Sequence, residues 1–564
     1  MRIIIAISLL GSVIGLQPLL AQETEGNLNQ EIVTVGERQL KLKDAFKSSF
    51  FPMEVDTVIT KEDLQYSVAP VFFKTNFEPD TLKAARLKVV EPLDKLYPGY
   101  VKLGIGNYTM PFGQIYVGSN RNRNNQFALG FSHLSSNGDQ DDPEAFSGPF
   151  SRNRLDGWYK NFQRSSAFST HIWGERNNRT FGIPQTFVEQ QVLNDNNRAI
   201  GNVGAALNFQ TFHKKEEKLN HAEELVIDYT EDNFTSTELN INLGTQLEKY
   251  YNTELYKLDL DVQQNIYKLA DTSDAQNNTL VRLRPHIYTT TENVQVDLGI
   301  NVSAYVDRGR SFFYFFPQAS ITYTGFERFA RPYAGIKGDA TLNRYKSVME
   351  LNPFINPIQN ITLQREKLNA YLGMRGKFSE RSSYNVKFAY QQMVGAPMYQ
   401  YVDNTGSFVV PLFKNYYRNN NGFNYINVSY NQLSVLLEYS FELVDKFLGT
   451  LSAQYNAYEE FEAINAPIVE INSRFKYNLS DKLLADAQLT YVPERTDATG
   501  ILDGSVVSRN LGSYIDASLG LEYRYTRRIS AFLNFSNIAG NRYLIYPDYA
   551  VLGFGVMGGL NYSF

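Results

Sequence analysis

The chain contains no cysteine. That excludes a disulfide framework, a thiolate nucleophile, a thiolate-bound metal and a lipidated N-terminal cysteine. Tryptophan is scarce, at 2 residues, whereas tyrosine and phenylalanine number 38 each. Long apolar runs are missing everywhere except the extreme N-terminus, and the mean hydropathy of -0.34 excludes a bundle of membrane helices, each of which needs roughly 20 consecutive apolar residues. An excess of basic charge is lacking too: the net charge of -5 argues against a nucleic-acid partner, which would favour a basic patch.

The one apolar run is informative by position. Arg2 leads Ile3 to Leu20, and Ala21 precedes the polar Gln22-Glu23-Thr24. This pattern predicts a secretory signal peptide over residues 1–21, cleaved after Ala21, and export of the rest.

What fills the remainder is alternation. Near the C-terminus the even positions Ala550, Leu552, Phe554, Val556, Gly558, Leu560, Tyr562 and Phe564 oppose small or polar odd positions such as Gly555, Gly559, Asn561 and Ser563. The same dyad recurs in Ile515 to Tyr525, Leu451 to Tyr455 and Leu368 to Met374. One face suits lipid and the other a wet lumen, which is the signature of a transmembrane antiparallel β-barrel. Aromatic abundance fits the girdles at the two edges of such a barrel's apolar band.

Link lengths agree. Short links at Thr291 to Asn293, Glu380 to Ser382, Val444 to Lys446, Asn478 to Asp481 and Thr526 to Arg528 interleave with long ones. The long ones include Ser136 to Pro149, Glu175 to Ala199, Asn343 to Arg365, Val394 to Gly422 and Pro493 to Asn510. Short periplasmic turns alternating with long external loops are expected of an outer-membrane barrel. One stretch strains the order: apolar parity shifts from Ile426, Val428, Tyr430 to Leu433, Val435, Leu437, which predicts one long strand with a β-bulge near Asn431. The count is then about 22 strands over residues 99–564, both ends periplasmic. Phe312 to Phe316 breaks the alternation and reads as an interface belt or as a strand touching protein on both faces.

The ending Gly558-Gly559-Leu560-Asn561-Tyr562-Ser563-Phe564 resembles the signal that barrel-assembly machinery recognises, carried on Gly558, Leu560, Tyr562 and Phe564. Ala531 to Asn537, with Asn541-Arg542-Tyr543, is similar to the penultimate hairpin of TonB-dependent receptors, whose barrels have about 22 strands. Glu31, Ile32, Val33, Thr34 and Val35 look like a TonB box, and Val58 to Leu64 resembles the first stretch of a plug domain. The segment 22–98 is too short for a full plug. The resemblance therefore implies a receptor-derived barrel of Bacteroidota type with a reduced plug or periplasmic extension.

Chemistry is sparse. His133, His171, His213, His221 and His286 show no metal-ligand spacing. Gly138 to Glu144 is acidic but lacks the order of a calcium loop, and reads as a solvated loop. Ser132 and His133 are adjacent on a strand, so they point to opposite faces and cannot act as nucleophile and base. Asp56-Thr57-Val58 and Asp80-Thr81-Leu82 match a short O-glycosylation pattern. No catalytic residue, cofactor or metal is expected. Two functions remain open: a transport channel or receptor, and a non-transporting subunit of a larger assembly, secretion or surface-lipoprotein machine. The expected partners are outer-membrane lipids, the barrel-assembly machinery and other outer-membrane proteins or surface lipoproteins.

Overall fold

The computed structural model describes residues 96–119, 122–139, 146–181, 197–213, 218–269, 275–326, 328–355, 361–401, 423–444, 446–459, 467–502 and 505–564. Within them, 22 strands form one antiparallel sheet. Its last strand, Gly555–Ser563, pairs with its first, Gly99–Gly106, so that Tyr100 lies opposite Ser563 and Gly106 opposite Met557. The sheet thus closes into the barrel expected from the alternation. Closure joins the sheet's two ends, where unpaired backbone groups could not be tolerated in lipid.

The dyad pattern becomes two surfaces. In the last strand Met557, Asn561 and Ser563 are buried inward, while Leu560, Tyr562 and Phe564 are 62%, 45% and 40% exposed on the outer face. Inward positions elsewhere are unusually polar: Asn202, Asn240, Asn265, Asn278, Asn301 and Asn369 are all buried. Several of their amide nitrogens donate across the wall, as where Asn240 donates to Asp228 at 3.0 Å and Asn265 to Glu238 at 2.6 Å.

The long links gather at one end, read as external, and short turns dominate the other. Strands overrun the expected external rim. Ser166–Thr180 continues through the polar Glu175 to Thr180, and Ser382–Tyr401 through Val394 to Tyr401. Polar side chains above the lipid have no apolar face to present, yet the backbone keeps pairing, as Thr180 does with Asn197. The long link Pro493 to Asn510 contains a hairpin of its own, Thr496–Leu502 with Ser505–Asn510.

The expected bulge near Asn431 is corrected. Phe423–Val444 is one strand, as predicted, and its alternation is unbroken: Val428, Tyr430 and Gln432 face inward, whereas Leu433 and Leu437 face outward. The apolar residues change face because the inner wall carries an apolar patch of Met393, Ala396, Met398, Val428, Tyr430 and Tyr458. The extra residue sits in the partner strand instead, between Met393 and Ala396, where Gly395 adopts a φ of +72°.

Candidate functional site

The external loops fold into the barrel mouth. The connection between Arg331–Leu342 and Leu363–Ser379 carries a short helix, α1 (Tyr345–Leu351), with Tyr345, Val348 and Met349 buried at helical spacing. Ser347 Oγ accepts from the Arg344 backbone N–H at 3.1 Å, and Pro353 follows the C-cap Asn352, so the helix stops there. Its start is fixed by the wall. Glu238, fully buried on strand Thr237–Tyr251, accepts from the backbone N–H of Tyr345 at 2.8 Å and of Lys346 at 3.0 Å. A carboxylate there satisfies two orphan donors and meets the positive end of the helix dipole.

Side chains complete the anchor. Arg344 pairs with Asp228 and lies 3.6 Å from Glu238, both carboxylates being buried. Tyr345 donates its hydroxyl to Asp232 and stacks on Tyr267 at 5.2 Å. Burial pushes the Tyr345 phenol well above its ordinary range. Lys346 reaches Asn202 at 3.0 Å and Glu175 at 3.2 Å. Arg198, 1% exposed, donates to the carbonyls of Pro353, at 3.0 Å, and Ile355, and lies over the rings of Phe181 and Phe234.

Two further loops lock onto the first. Phe354 stacks on Tyr549 at 3.8 Å, and Tyr546 donates to the Leu351 carbonyl at 2.7 Å. Phe146 bridges to Tyr549, and Ser147 Oγ donates to the Ala550 carbonyl at 2.8 Å. The result is an aromatic core over the lumen, in which each close ring pair adds about 0.5–1.5 kcal/mol beyond burial. At its margin Tyr543 stacks on Tyr514 at 4.0 Å and donates to Asp516 at 2.8 Å, and burial followed by the Asp516 charge raises its phenol well above the ordinary range.

Beneath this cap lies a cavity of about 450 Å³, within the size range of small-molecule sites. Phe354 and Tyr546 line it from the cap, and Arg179, Glu175, Arg474 and Asp486 from the wall. Its charges are largely paired: Arg474 holds Asp486 through two bonds, of 3.1 and 2.8 Å. Lower on the wall both tryptophans face the lumen, with His171 stacked between them at 5.0 Å from each ring. His171 contacts Asp156 at 2.9 Å, Trp173 donates to Asn202 at 2.7 Å, and Trp158 stays 40% exposed.

Of the residues singled out in sequence, Gly558, Leu560 and Tyr562 lie in line on the outward face of the final strand, and Phe564 follows it directly. Glu31 to Val35, Ala21, both O-glycosylation patterns and most of Gly138 to Glu144 lie outside the described residues. Asp139, which is described, lies 3.5 Å from Arg542. The described histidines are scattered: His133 bonds Asn153, His221 bonds Glu223, and His286 bonds Asp297. Among the described residues no three metal-binding side chains converge. Sequence reading missed Arg198, Arg344 and Tyr345 because their partners lie over a hundred positions away.

No family model matches the chain, and no curated protein matches it in sequence. Solved structures do match in fold. The FrpB iron transporter from Neisseria meningitidis is 10% identical, covering 84% of this chain and 82% of that one, with a TM-score of 0.63. The siderophore receptor PirA from Acinetobacter baumannii is 12% identical over 83% and 80%, with a TM-score of 0.62. The FpvA–pyoverdine–iron complex of P. aeruginosa is 11% identical over 83% and 72%, at 0.61. The chain has the barrel fold of these outer-membrane receptors and transporters.

Proposed function

We infer that the chain is an outer-membrane receptor-like channel for a polar solute, closed from outside by its own loops. The observation that carries this reading is the knitted cap over a cavity of about 450 Å³ lined by aromatic and charged side chains together, set in a wall of buried asparagines. A barrel of about 22 strands is too wide for its side chains to fill, so something must occlude it. The cap supplies part of that closure. The segment 22–98 would supply the rest as a reduced plug of Bacteroidota type, with Glu31 to Val35 reaching the periplasm as a TonB-box-like sequence. Residues 1–21 would be the signal peptide, and Gly558, Leu560, Tyr562 and Phe564 the contact for barrel-assembly machinery. Iron, copper and siderophores are cargo of the similar structures. For this chain the paired charges and aromatic roof support a polar organic solute of unspecified identity.

A second reading, a non-transporting subunit of a larger outer-membrane machine, draws support from how tightly the loops interlock around Tyr549. Planar-bilayer conductance separates the two. Replacing residues 344–355 with a short flexible linker, alone and together with deletion of Asn27 to Pro79, should raise single-channel conductance and sensitivity to bulky antibiotics. Unchanged conductance in both variants, with normal assembly, would sink the channel reading. A stoichiometric partner set in a mild-detergent pull-down would then favour the machine.

A further inference from the structure

The barrel wall has a half-open seam. Strands Arg310–Tyr323 and Arg331–Leu342 follow one another in the chain, yet they pair only from Gln318 opposite Lys337 to Thr322 opposite Tyr333. Above that level Arg310 to Pro317 pairs with strand Val294–Asp307 on one edge and, among the described residues, with no strand on the other. Phe313 and Phe315 stand there 66% and 67% exposed on the outer face.

The missing half-strand is tucked inside. Gly338 to Leu342 passes behind the wall, where Asn301 donates to the Gly338 carbonyl at 3.2 Å and to Asp339 at 2.8 Å, and Arg282 to the Ala340 carbonyl at 3.0 Å. Ala340 and Leu342 pack with Leu280, Tyr305, Phe316 and Leu363. The bend is built into three neighbouring strands at one height. A Cβ on Gly338 would meet the Phe316 ring at 2.8 Å, Lys367 is an extra residue relative to both neighbours, and the bulge at Gly395 lies next to it.

The tucked segment nevertheless keeps the pattern of a wall strand. Extending the existing register upward would set Phe315 opposite Ala340 and Phe313 opposite Leu342 on the lipid face, with Phe316 opposite Asp339 and Tyr314 opposite Thr341 on the lumen face. Apolar would meet apolar outside, and the bare strand edge would gain its missing backbone partners. The same segment runs directly into Asn343, Arg344 and α1, whose ion pairs hold it inward.

We propose that this seam is a gate with two pairings: tucked while α1 is docked in the lumen, and zipped onto Arg310 to Pro317 when α1 leaves. The external cap and the lateral wall are then one mechanical element, so that opening the mouth seals the side. This rests on the seam's geometry and not on what the channel carries.

The absence of native cysteine makes disulfide trapping clean. In the full-length protein in outer-membrane vesicles, the pair Phe315→Cys and Ala340→Cys reports the zipped state. Phe315→Cys with Val302→Cys, and Ala340→Cys with Arg365→Cys, are residues already opposite one another and serve as folding and reactivity controls. The zipped disulfide should form under mild oxidant, and Arg344→Ala should raise its yield by at least tenfold, because losing one partner of a buried ion pair moves an equilibrium by more than a decade. No zipped disulfide in either background while both controls oxidise would overturn the gate. Equal yields with and without Arg344 would overturn its link to the cap.

Discussion

Where the last strand meets the first, Gly555–Ser563 and Gly99–Gly106 pair without interruption from Tyr100 to Gly106, although they lie at opposite ends of the barrel sequence. Where Arg310–Tyr323 meets Arg331–Leu342, separated by one short turn, the upper half is unpaired. Nearness in the chain does not decide which strands zip. The terminal seam also adjoins a buried loop, that of Tyr546 and Tyr549, but that loop's contacts leave the last strand in the wall, where its backbone pairs. The inner seam precedes a loop whose Arg344 and Tyr345 are bound to three buried carboxylates, and that attachment outweighs a few ladder bonds.

The largest expected effect cuts that attachment. Arg344→Ala leaves Asp228 and Glu238 buried without their cation, a loss of about 3–5 kcal/mol in cap docking. Met349, 3% exposed under the cap, is the reporter: as Met349→Cys it should resist thiol reagents on intact cells and become reactive once Arg344 is removed. Continued protection would mean that the aromatic core alone holds the cap.

A smaller effect contrasts the two seams directly. Leu560→Arg puts a charge on the lipid face of the closed seam and should cost about 2–4 kcal/mol if it lies at mid-membrane, whereas Phe315→Arg near the external rim should cost about 0–1 kcal/mol. Urea unfolding followed by heat-modifiable gel mobility measures both, and equal losses would place the two residues at one depth.

The smallest effect near neutrality is that of pH. Burial raises the phenol of Tyr345 and of Tyr543 above the ordinary 10.0, so the folded cap holds those protons more tightly than the unfolded chain does. Their contribution is complete below pH about 10 and is lost as pH climbs through the raised folded values. The rate of iodoacetamide modification of Met349→Cys, divided by that of an exposed thiol at the same pH, should therefore stay low through neutral pH and rise only in strong alkali, with Tyr345→Phe blunting the rise.

Much of the barrel was legible because its rule is local. A period of two along each strand decides which side chains meet lipid, and Leu560, Tyr562 and Phe564 obey it. The cap was not legible, because Arg198, Arg344 and Glu238 find their meaning only across the lumen. The parity shift after Tyr430 misled for a related reason: an apolar inner face looks like an outer one until the opposing Met393 and Tyr458 are seen. Phe312 to Phe316 was readable halfway. Two-sided contact fits Phe316, buried in a core, and does not fit Phe313 and Phe315.

Membrane barrels commonly place indoles at the headgroup level, but here Trp158 and Trp173 flank His171 inside the lumen, and no third tryptophan exists. The molecule's entire indole emission therefore originates at one spot on the inner wall. Its colour and intensity register the water, ions or solute occupying the bore, and they are blind to the bilayer, which among the described aromatic residues only tyrosine and phenylalanine touch from outside.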